Sequence, residues 1–202
     1  MAIAIPTDAG DRGSKSLPRP DDQLMRGFAR GDIRAFDQLY AKYKQPLYNY
    51  LHRNCQHDQV DEIFQDVWLR VIASAARFQV HNKFRAWLFT LAHNCLVDHY
   101  RKSARQHQVE DDNHLLKHQV AAENRLMEDN VTTAESRSAI LAAIESLPPE
   151  QREAFYLRED AGFSIQEIAE IQTVTQEAAK SRLRYAYQKL RLLLKDIPRN
   201  PA

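Results

Sequence analysis

Two short helices, each closed by its own side chains and separated by a tight polar turn, constrain this chain more than any other feature. The first is Ser164-Ile165-Gln166-Glu167-Ile168-Ala169-Glu170-Ile171, and the second is Thr175-Gln176-Glu177-Ala178-Ala179-Lys180-Ser181-Arg182-Leu183. Ser164 stands where its hydroxyl caps the first helix, and Glu167, three residues on, reaches back to complete a capping box. Thr175 caps the second, with Glu177 in its first turn, where a carboxylate suits the helix dipole. Helix, short turn and a helix rich in Lys and Arg is the layout that sets a second helix into a DNA major groove. An ordinary αα-hairpin shares the helices but not this charge placement.

On a helical wheel, Ala179, Leu183, Ala186, Leu190 and Leu193 fall on one stripe, the core face expected at a period of about 3.6 residues. Lys180, Arg184, Gln188 and Arg191 fall opposite, with Glu177, Ser181 and Tyr185 beside them. From Lys180 onward, Lys180, Arg182, Arg184, Lys189, Arg191, Lys195 and Arg199 are offset only by Asp196. Such a run is either a solvated face or the electrostatic footprint of a phosphate-binding surface.

The net charge of +1 conceals an uneven distribution. Glu110, Asp111, Asp112, Glu123, Glu128, Asp129 and Glu135 lie in one stretch with only Lys117 and Arg125 against them. This acidic middle separates two segments with basic faces, so the near-neutral total does not exclude nucleic acid. Five glycines among 202 residues and 27% charged residues, with a mean hydropathy of −0.59, suit a mostly helical protein. No apolar run approaches the roughly 20 residues that cross a bilayer. The start, Met1-Ala2-Ile3-Ala4-Ile5-Pro6, lacks a basic region followed by an apolar one. The expected compartment is the cytoplasm, without membrane insertion. Cys55 and Cys95 form no CxxC. His52, Cys55 and His57 raise the idea of zinc but lack a fourth ligand nearby, and His52 and Cys55 can simply share a helix face.

Residues 1–20 are polar and carry Gly10, Gly13, Pro18 and Pro20, the composition of a disordered leader. Helical spacing starts at Asp21 and continues through Ile33, Phe36, Leu39, Tyr40, Tyr43 and Leu47, with a kink or boundary expected at Pro46. A third helix starts near Asp58, where Ile63, Phe64, Val67, Trp68, Val71 and Ile72 give two apolar columns. Residues 78–83 read as a loop, and residues 84–102 as a fourth helix burying Phe84, Leu88, Leu91 and Cys95. The acidic stretch, 106–135, reads as a linker that is helical in part. Helix returns at Ser138, breaks at Pro148, and resumes with Pro149 in a first turn. Gly162 ends that helix. The expected fold is all-α: two small helical domains, 21–105 and 136–197, joined by a flexible linker.

The chain resembles a bacterial RNA polymerase sigma factor of the extracytoplasmic-function type, a compact class with only a promoter-melting domain and a −35 domain. The segment Asp61-Glu62-Ile63-Phe64-Gln65-Asp66-Val67-Trp68-Leu69-Arg70 resembles the family's polymerase-binding helix. Phe84-Arg85-Ala86-Trp87-Leu88-Phe89-Thr90-Leu91-Ala92-His93-Asn94, with Val97-Asp98-His99-Tyr100-Arg101-Lys102, resembles its −10 recognition helix. Leu147-Pro148-Pro149-Glu150-Gln151-Arg152 and residues 167–183 resemble its −35 domain. Two different motifs in the right order and spacing carry more than either alone.

The resemblance implies a transcription initiation factor that binds core RNA polymerase, recognises −10 and −35 promoter elements and helps to melt DNA. Glu62, Gln65, Asp66 and Trp68 would meet the polymerase, although Trp68 can equally fill the core. Lys83, Trp87, Asn94, Asp98, Arg101 and Lys102 would serve the −10 element. There an extruded base must be captured by a pocket and stacking surfaces, and Phe84 and Trp87 are either such platforms or core. Arg105 would hold phosphate with Arg101 and Lys102. Gln176, Lys180, Ser181, Arg182, Arg184 and Tyr185 would serve the −35 element. The implied partners are core RNA polymerase, promoter DNA and an anti-sigma factor. No catalytic residue, cofactor or metal is implied. Thr173 stands in the turn where the family usually has Gly, and Tyr185 and Tyr187 replace its usual basic residues, which implies a different −35 preference. A helix-turn-helix regulator acting without polymerase is the competing class, and residues 84–102 are what it would not need. A sigma-like decoy without DNA binding is a further alternative, which the Lys180–Arg191 basic face opposes. An enzyme would require groups converging with His93, Asp98 and His99, and the sequence offers none.

Overall fold

The apolar spacings form helices throughout, with no strand among the described residues. The computed structural model describes residues 20–78, 83–110 and 131–195, with side chains for 20–78, 83–102 and 138–195. The expected leader, residues 79–82 of the expected loop and residues 111–130 of the acidic linker lie outside these, as do Arg199 and the side chain of Arg105.

The first domain holds α1 (Asp21–Ala29), α2 (Ile33–Asn54), α3 (Val60–Ser74) and α4 (Phe84–Glu110). The Asp32 side chain caps α2 by accepting from Ala35 N at 3.2 Å. Leu39, Leu47 and Leu51 of α2 meet Val60, Ile63, Val67 and Val71 of α3 and Phe84, Leu88 and Ala92 of α4, all at most 2% exposed. Burial of side chains this size contributes about 1.5–3 kcal/mol each. Leu91 of the expected column is half-buried, and Ile72 of α3 lies at the surface.

Of the kink or boundary expected at Pro46, the boundary does not occur: α2 continues through it from Ile33 to Asn54. Pro46 removes the N–H that would bond the Lys42 carbonyl, but both residues lie on the exposed side of the helix. Water can therefore satisfy that carbonyl, and the ring meets no packed neighbour. Ile33 is 70% exposed because it opens α2 ahead of the first packed turn.

The second domain holds α5 (Val131–Glu145), α6 (Pro149–Glu159), α7 (Ile165–Ile171) and α8 (Gln176–Leu193). Two boundaries differ from expectation: α4 continues to Glu110, and α5 begins at Val131, inside the stretch read as linker. That stretch has no clean apolar period, so helix formed there escapes a pattern-based reading. Pro149 occupies the first turn of α6. Gly162, at φ 65, turns the chain so that Phe163 N donates to Leu157 O at 3.0 Å. Phe163 is thereby delivered into the core, fully buried.

The helix-turn-helix is built by its own caps. Ser164 Oγ accepts from Glu167 N at 3.2 Å while Glu167 accepts from Ser164 N at 3.0 Å. Thr175 Oγ1 accepts from Ala178 N at 3.2 Å. Between them Thr173 adopts φ 53, the left-handed conformation that favours glycine. Thr173 N donates to Glu170 O at 3.3 Å and Val174 N to Ala169 O at 2.9 Å, closing the end of α7. The family-like turn is made despite the missing glycine. Ala179, Leu183, Ala186 and Leu190 form the buried stripe of α8, whereas Leu193 is 50% exposed at its last residue, past the final packed turn.

Candidate nucleic-acid interface

The buried stripe of α8 determines which side chains the helix shows. Lys180 and Arg184 project from the opposite side, with Gln176 and Tyr185 exposed beside them and Ser181 half-buried. Lys180 Nζ pairs with Glu177 at 2.7 Å within one turn. The Arg184 guanidinium lies over the Tyr185 ring, 5.0 Å from its centroid. That contact flattens the fork onto an aromatic face and leaves both groups available to a groove. Arg182 differs from its neighbours: its Nη1 donates to Gln172 Oε1 at 2.9 Å, so it is tied to the turn.

The second basic surface is on α4. Asp22 of α1 caps this helix, its Oδ1 accepting from Phe84 N at 2.8 Å. Trp87, Asn94, Asp98 and Arg101 recur at helical spacing on one side. Trp87 is half-buried with Phe78 at 5.1 Å and Phe84 at 5.9 Å between ring centroids. Phe84 itself is core, 1% exposed. Asn94, Arg101 and Lys102 are exposed, the set of donors and acceptors expected beside an unpaired strand. Asp98 accepts from Arg70 Nη2 of α3 at 3.0 Å. Lys83 reaches Glu167 of the second domain at 3.3 Å.

On α3, Glu62 and Gln65 are exposed and Asp66 half-buried. Trp68 is 5% exposed and stacks among Phe36 at 5.6 Å, Tyr40 at 4.9 Å and Phe64 at 6.3 Å, so its part is packing beneath the surface. Sequence reasoning missed Leu69, 61% exposed. The signal was present: Leu69 shares the face of Glu62, Gln65 and Asp66 at spacings of seven, four and three. An apolar side chain among polar ones adds area that gains by burial if a partner covers this face.

A buried polar node was missed altogether. Glu153 of α6, 8% exposed, accepts from the Tyr50 hydroxyl of α2 and from Gln172 Nε2 at 2.8 Å, and meets His93 Nδ1 of α4 at 2.8 Å. Burial pushes the Glu153 pKa up, and the hydrogen bond and charge of His93, with the Tyr50 and Gln172 hydrogen bonds, bring it below its ordinary value. Around the node, Phe163 sits under the Phe89 ring at 5.0 Å and the Arg85 guanidinium at 4.2 Å. Arg53 pairs with Asp160 at 2.9 Å and lies over the Tyr156 ring at 4.7 Å. The two domains therefore share one core.

His52, Cys55 and His57 are not part of any candidate metal-ion group among the described residues. Cys55 is 2% exposed and its thiol donates to Leu51 O at 3.1 Å. Burial raises its pKa to about 12. No group of three or more metal-ligating side chains occurs among the described residues.

Residues 39–106 match the Sigma-70 region 2 family and residues 137–190 the Sigma-70 region 4 family. The chain is 31% identical over 137 residues to the ECF RNA polymerase sigma factor EcfG of Rhodopseudomonas palustris, covering 68% of this chain and 72% of that protein. It is 29% identical over 176 residues to the ECF RNA polymerase sigma factor BldN of Streptomyces coelicolor, covering 86% of this chain and 66% of that protein. Among solved structures, the sigma factor RpoE of Bartonella quintana, in complex with the anti-sigma factor NepR, superposes with a TM-score of 0.66. The identity is 25%, over 81% of this chain and 98% of that one.

Proposed function

Because this chain belongs to the extracytoplasmic-function RNA polymerase sigma factors, we propose that its three exposed surfaces divide the work of transcription initiation. The protein is a transcription initiation factor that binds core RNA polymerase and recognises promoters, and its partners include an anti-sigma factor. Sigma factors are non-enzymatic, and this chain would contribute no catalytic group of its own. No helix among the described residues is long and apolar enough to cross a membrane. The proposed compartment is the cytoplasm, where the polymerase works.

Residues 21–105 form the core-binding and −10 domain in this reading, and residues 136–197 the −35 domain. Glu62, Gln65 and Asp66, with Leu69 at their centre, bind the polymerase, and Trp68 supports them from below. Asn94 reads an extruded −10 base, Trp87 offers it a stacking edge, and Lys83, Arg101 and Lys102 hold backbone phosphates. Asp98 fixes α4 against α3 through Arg70 and borders the same strand. Lys180, Ser181, Arg184, Tyr185 and Gln176 address the −35 duplex, while Arg182 braces the turn beside them.

The observation that carries the reading is the exposed cationic arc of α8, held outward by a buried stripe, following a −10-type helix in the same chain. Run-off transcription with core polymerase and a library of promoters is the test. Specific transcripts that depend on this protein are expected. DNA binding without any dependence of core polymerase on the protein would replace the sigma reading with that of a stand-alone helix-turn-helix regulator.

A further inference from the structure

Pro46, exposed on α2, borders a cleft of about 1150 Å³ that shares only Lys83 with the three surfaces above. Tyr43, Tyr50, Phe89 and Tyr156 give this cleft an aromatic lining. The chain enters at its edge, because Pro20, the residue before α1, is itself part of the lining. Residues 1–19 therefore start at the mouth. We propose that Leu17-Pro18-Arg19-Pro20 lies in this cleft as a polyproline-type segment, with Leu17 against the aromatic lining, so that the cleft's occupant is the chain's own leader. Nothing in this contact depends on the promoter-binding reading.

The last step of such a segment is already set. Pro20 has φ −53 and ψ 143, close to the polyproline II values of about −75 and +145. The ring of Pro18 fixes its φ, and Leu17 and Arg19 each precede a proline, which disfavours the helical region for both. Four consecutive residues thus share one preference, and docking them costs little conformational entropy. A polyproline helix has about three residues per turn and rises about 3.1 Å per residue, so Leu17 returns to the edge of Pro20 about 9 Å along. With Pro20 on the wall, Leu17 meets the wall too. Arg19 then turns toward the carboxylates of Asp21, Asp160 and Glu167, which also line the cleft.

Size and chemistry both favour a stretch of chain. The volume exceeds the roughly 300–1,000 Å³ of small-molecule sites, and aromatic-lined grooves are the seats that proline-rich segments take. Lys42, Arg53 and Lys83 are paired with Asp21, Asp160 and Glu167, so a free anion would have to displace a carboxylate. Pro46 adds an acceptor, because it leaves the Lys42 carbonyl without its helical N–H partner. Tethering decides between the leader and a free competitor. A segment joined at the mouth has an effective concentration of about 1 mM, so a contact with a Kd of about 0.1 mM is about nine-tenths filled.

The test uses the full-length chain carrying Leu17→p-benzoylphenylalanine. Irradiation followed by mass spectrometry is expected to join residue 17 to α2, α4 or α6 within one molecule. Limited trypsin digestion of the unaltered chain gives a second readout. Cleavage after Lys15, beside the docked residues, should be at least about tenfold slower than in a synthetic peptide of residues 1–20, as nine-tenths occupancy requires. Cleavage after Arg12, farther from the cleft, should differ less. Leu17→Ser should bring the Lys15 rate to that of the matching free peptide with circular dichroism unchanged. Cross-links only between two molecules would seat the leader of a second copy there and overturn docking within one chain. A small molecule retained in the native mass spectrum, with Lys15 cut at the free-peptide rate, would assign the cleft to that ligand instead. Absence of cross-links to these helices, or cleavage after Lys15 at the free-peptide rate, overturns the proposal.

Discussion

Arg70 on α3 donates to Asp98 on α4 at 3.0 Å, tying the proposed polymerase-binding helix to the proposed −10 helix through one charged hydrogen bond. Both side chains are more than a third exposed, at 39% and 48%. The pair therefore contributes at most about 1 kcal/mol to stability. Asp98→Ala should unfold at nearly the unaltered temperature, whereas Asn94→Ala should reduce promoter melting far more than it reduces core binding. Permanganate footprinting and core-binding titration, run side by side, check both. Wild-type melting by Asn94→Ala would remove that residue from the −10 role.

Asp66→Arg should weaken holoenzyme assembly by tenfold or more, on the order of 1.4 kcal/mol, with circular dichroism unchanged. Asp66 is half-buried at the edge of the face that carries Leu69, so the substitution places a repelling charge in the contact without entering the core. Leu69→Ala should act in the same direction through lost apolar area. Undiminished core binding by both would send the polymerase contact elsewhere on the surface.

Two outcomes distinguish how Arg184 works. Bidentate pairing with a guanine edge predicts that Arg184→Ala costs about 1–3 kcal/mol at one base pair and relaxes the preference there. Phosphate contact alone predicts even weakening across sequences and a salt slope reduced by about one unit. Titrations on single-base −35 variants at two salt concentrations separate them. If Arg184→Ala with Lys180→Ala alters neither affinity nor salt slope, α8 is not the reading helix.

Thr173→Gly should stabilise the protein. A residue with a Cβ in the left-handed region is disfavoured by roughly 1–2 kcal/mol, and glycine gives back about 0.5–1 kcal/mol through its freer unfolded chain. The net gain, up to about 1.5 kcal/mol, should raise the melting temperature by a few degrees. Thr175→Ala should move it the other way by about 1 kcal/mol, the worth of an N-cap. A lower melting temperature for Thr173→Gly would mean that the hydroxyl has a role at that turn.

The two cysteines should resist alkylation in the native state. Burial raises the Cys55 thiol to about 12 and the Cys95 thiol to about 11. Since the thiolate is the reactive form, both remain neutral and shielded at pH 8, and their reactivity should rise only as pH approaches those values. Iodoacetamide labelling followed by mass spectrometry, with and without urea, measures this. Rapid labelling of the folded protein at pH 8 would contradict the buried placement.

What the sequence revealed follows the range over which each signal acts. The caps at Ser164 and Thr175, the first-turn Pro149 and the buried stripe of α8 are local, and each was readable from residues within a turn or two. Whether Pro46 breaks a helix depends on which side meets solvent, and that is decided by α3 and α4, far away in sequence. The end of α4 at Glu110 and the start of α5 at Val131 lack an apolar period. Most hidden was Glu153, whose partner Tyr50 lies 103 residues earlier. A lone glutamate between Arg152 and Ala154 reads as surface, and only the assembled fold turns it inward. The candidate site divides in the same way: the charged arcs were legible from helical spacing, whereas the tie between Arg182 and Gln172 and the pairing of Asp98 were not.

The separation of duties along α8 bears on how such proteins diversify. Its small and branched residues face inward and tolerate little change, whereas Lys180, Ser181, Arg184 and Tyr185 border solvent. Substitutions at exposed positions usually alter stability by no more than about 0.5 kcal/mol. If these four positions read the −35 element as proposed, a duplicated copy of this gene can drift toward a new set of target genes through them while its scaffold stays intact, and insulation between sister regulators in one cell can arise by few mutations.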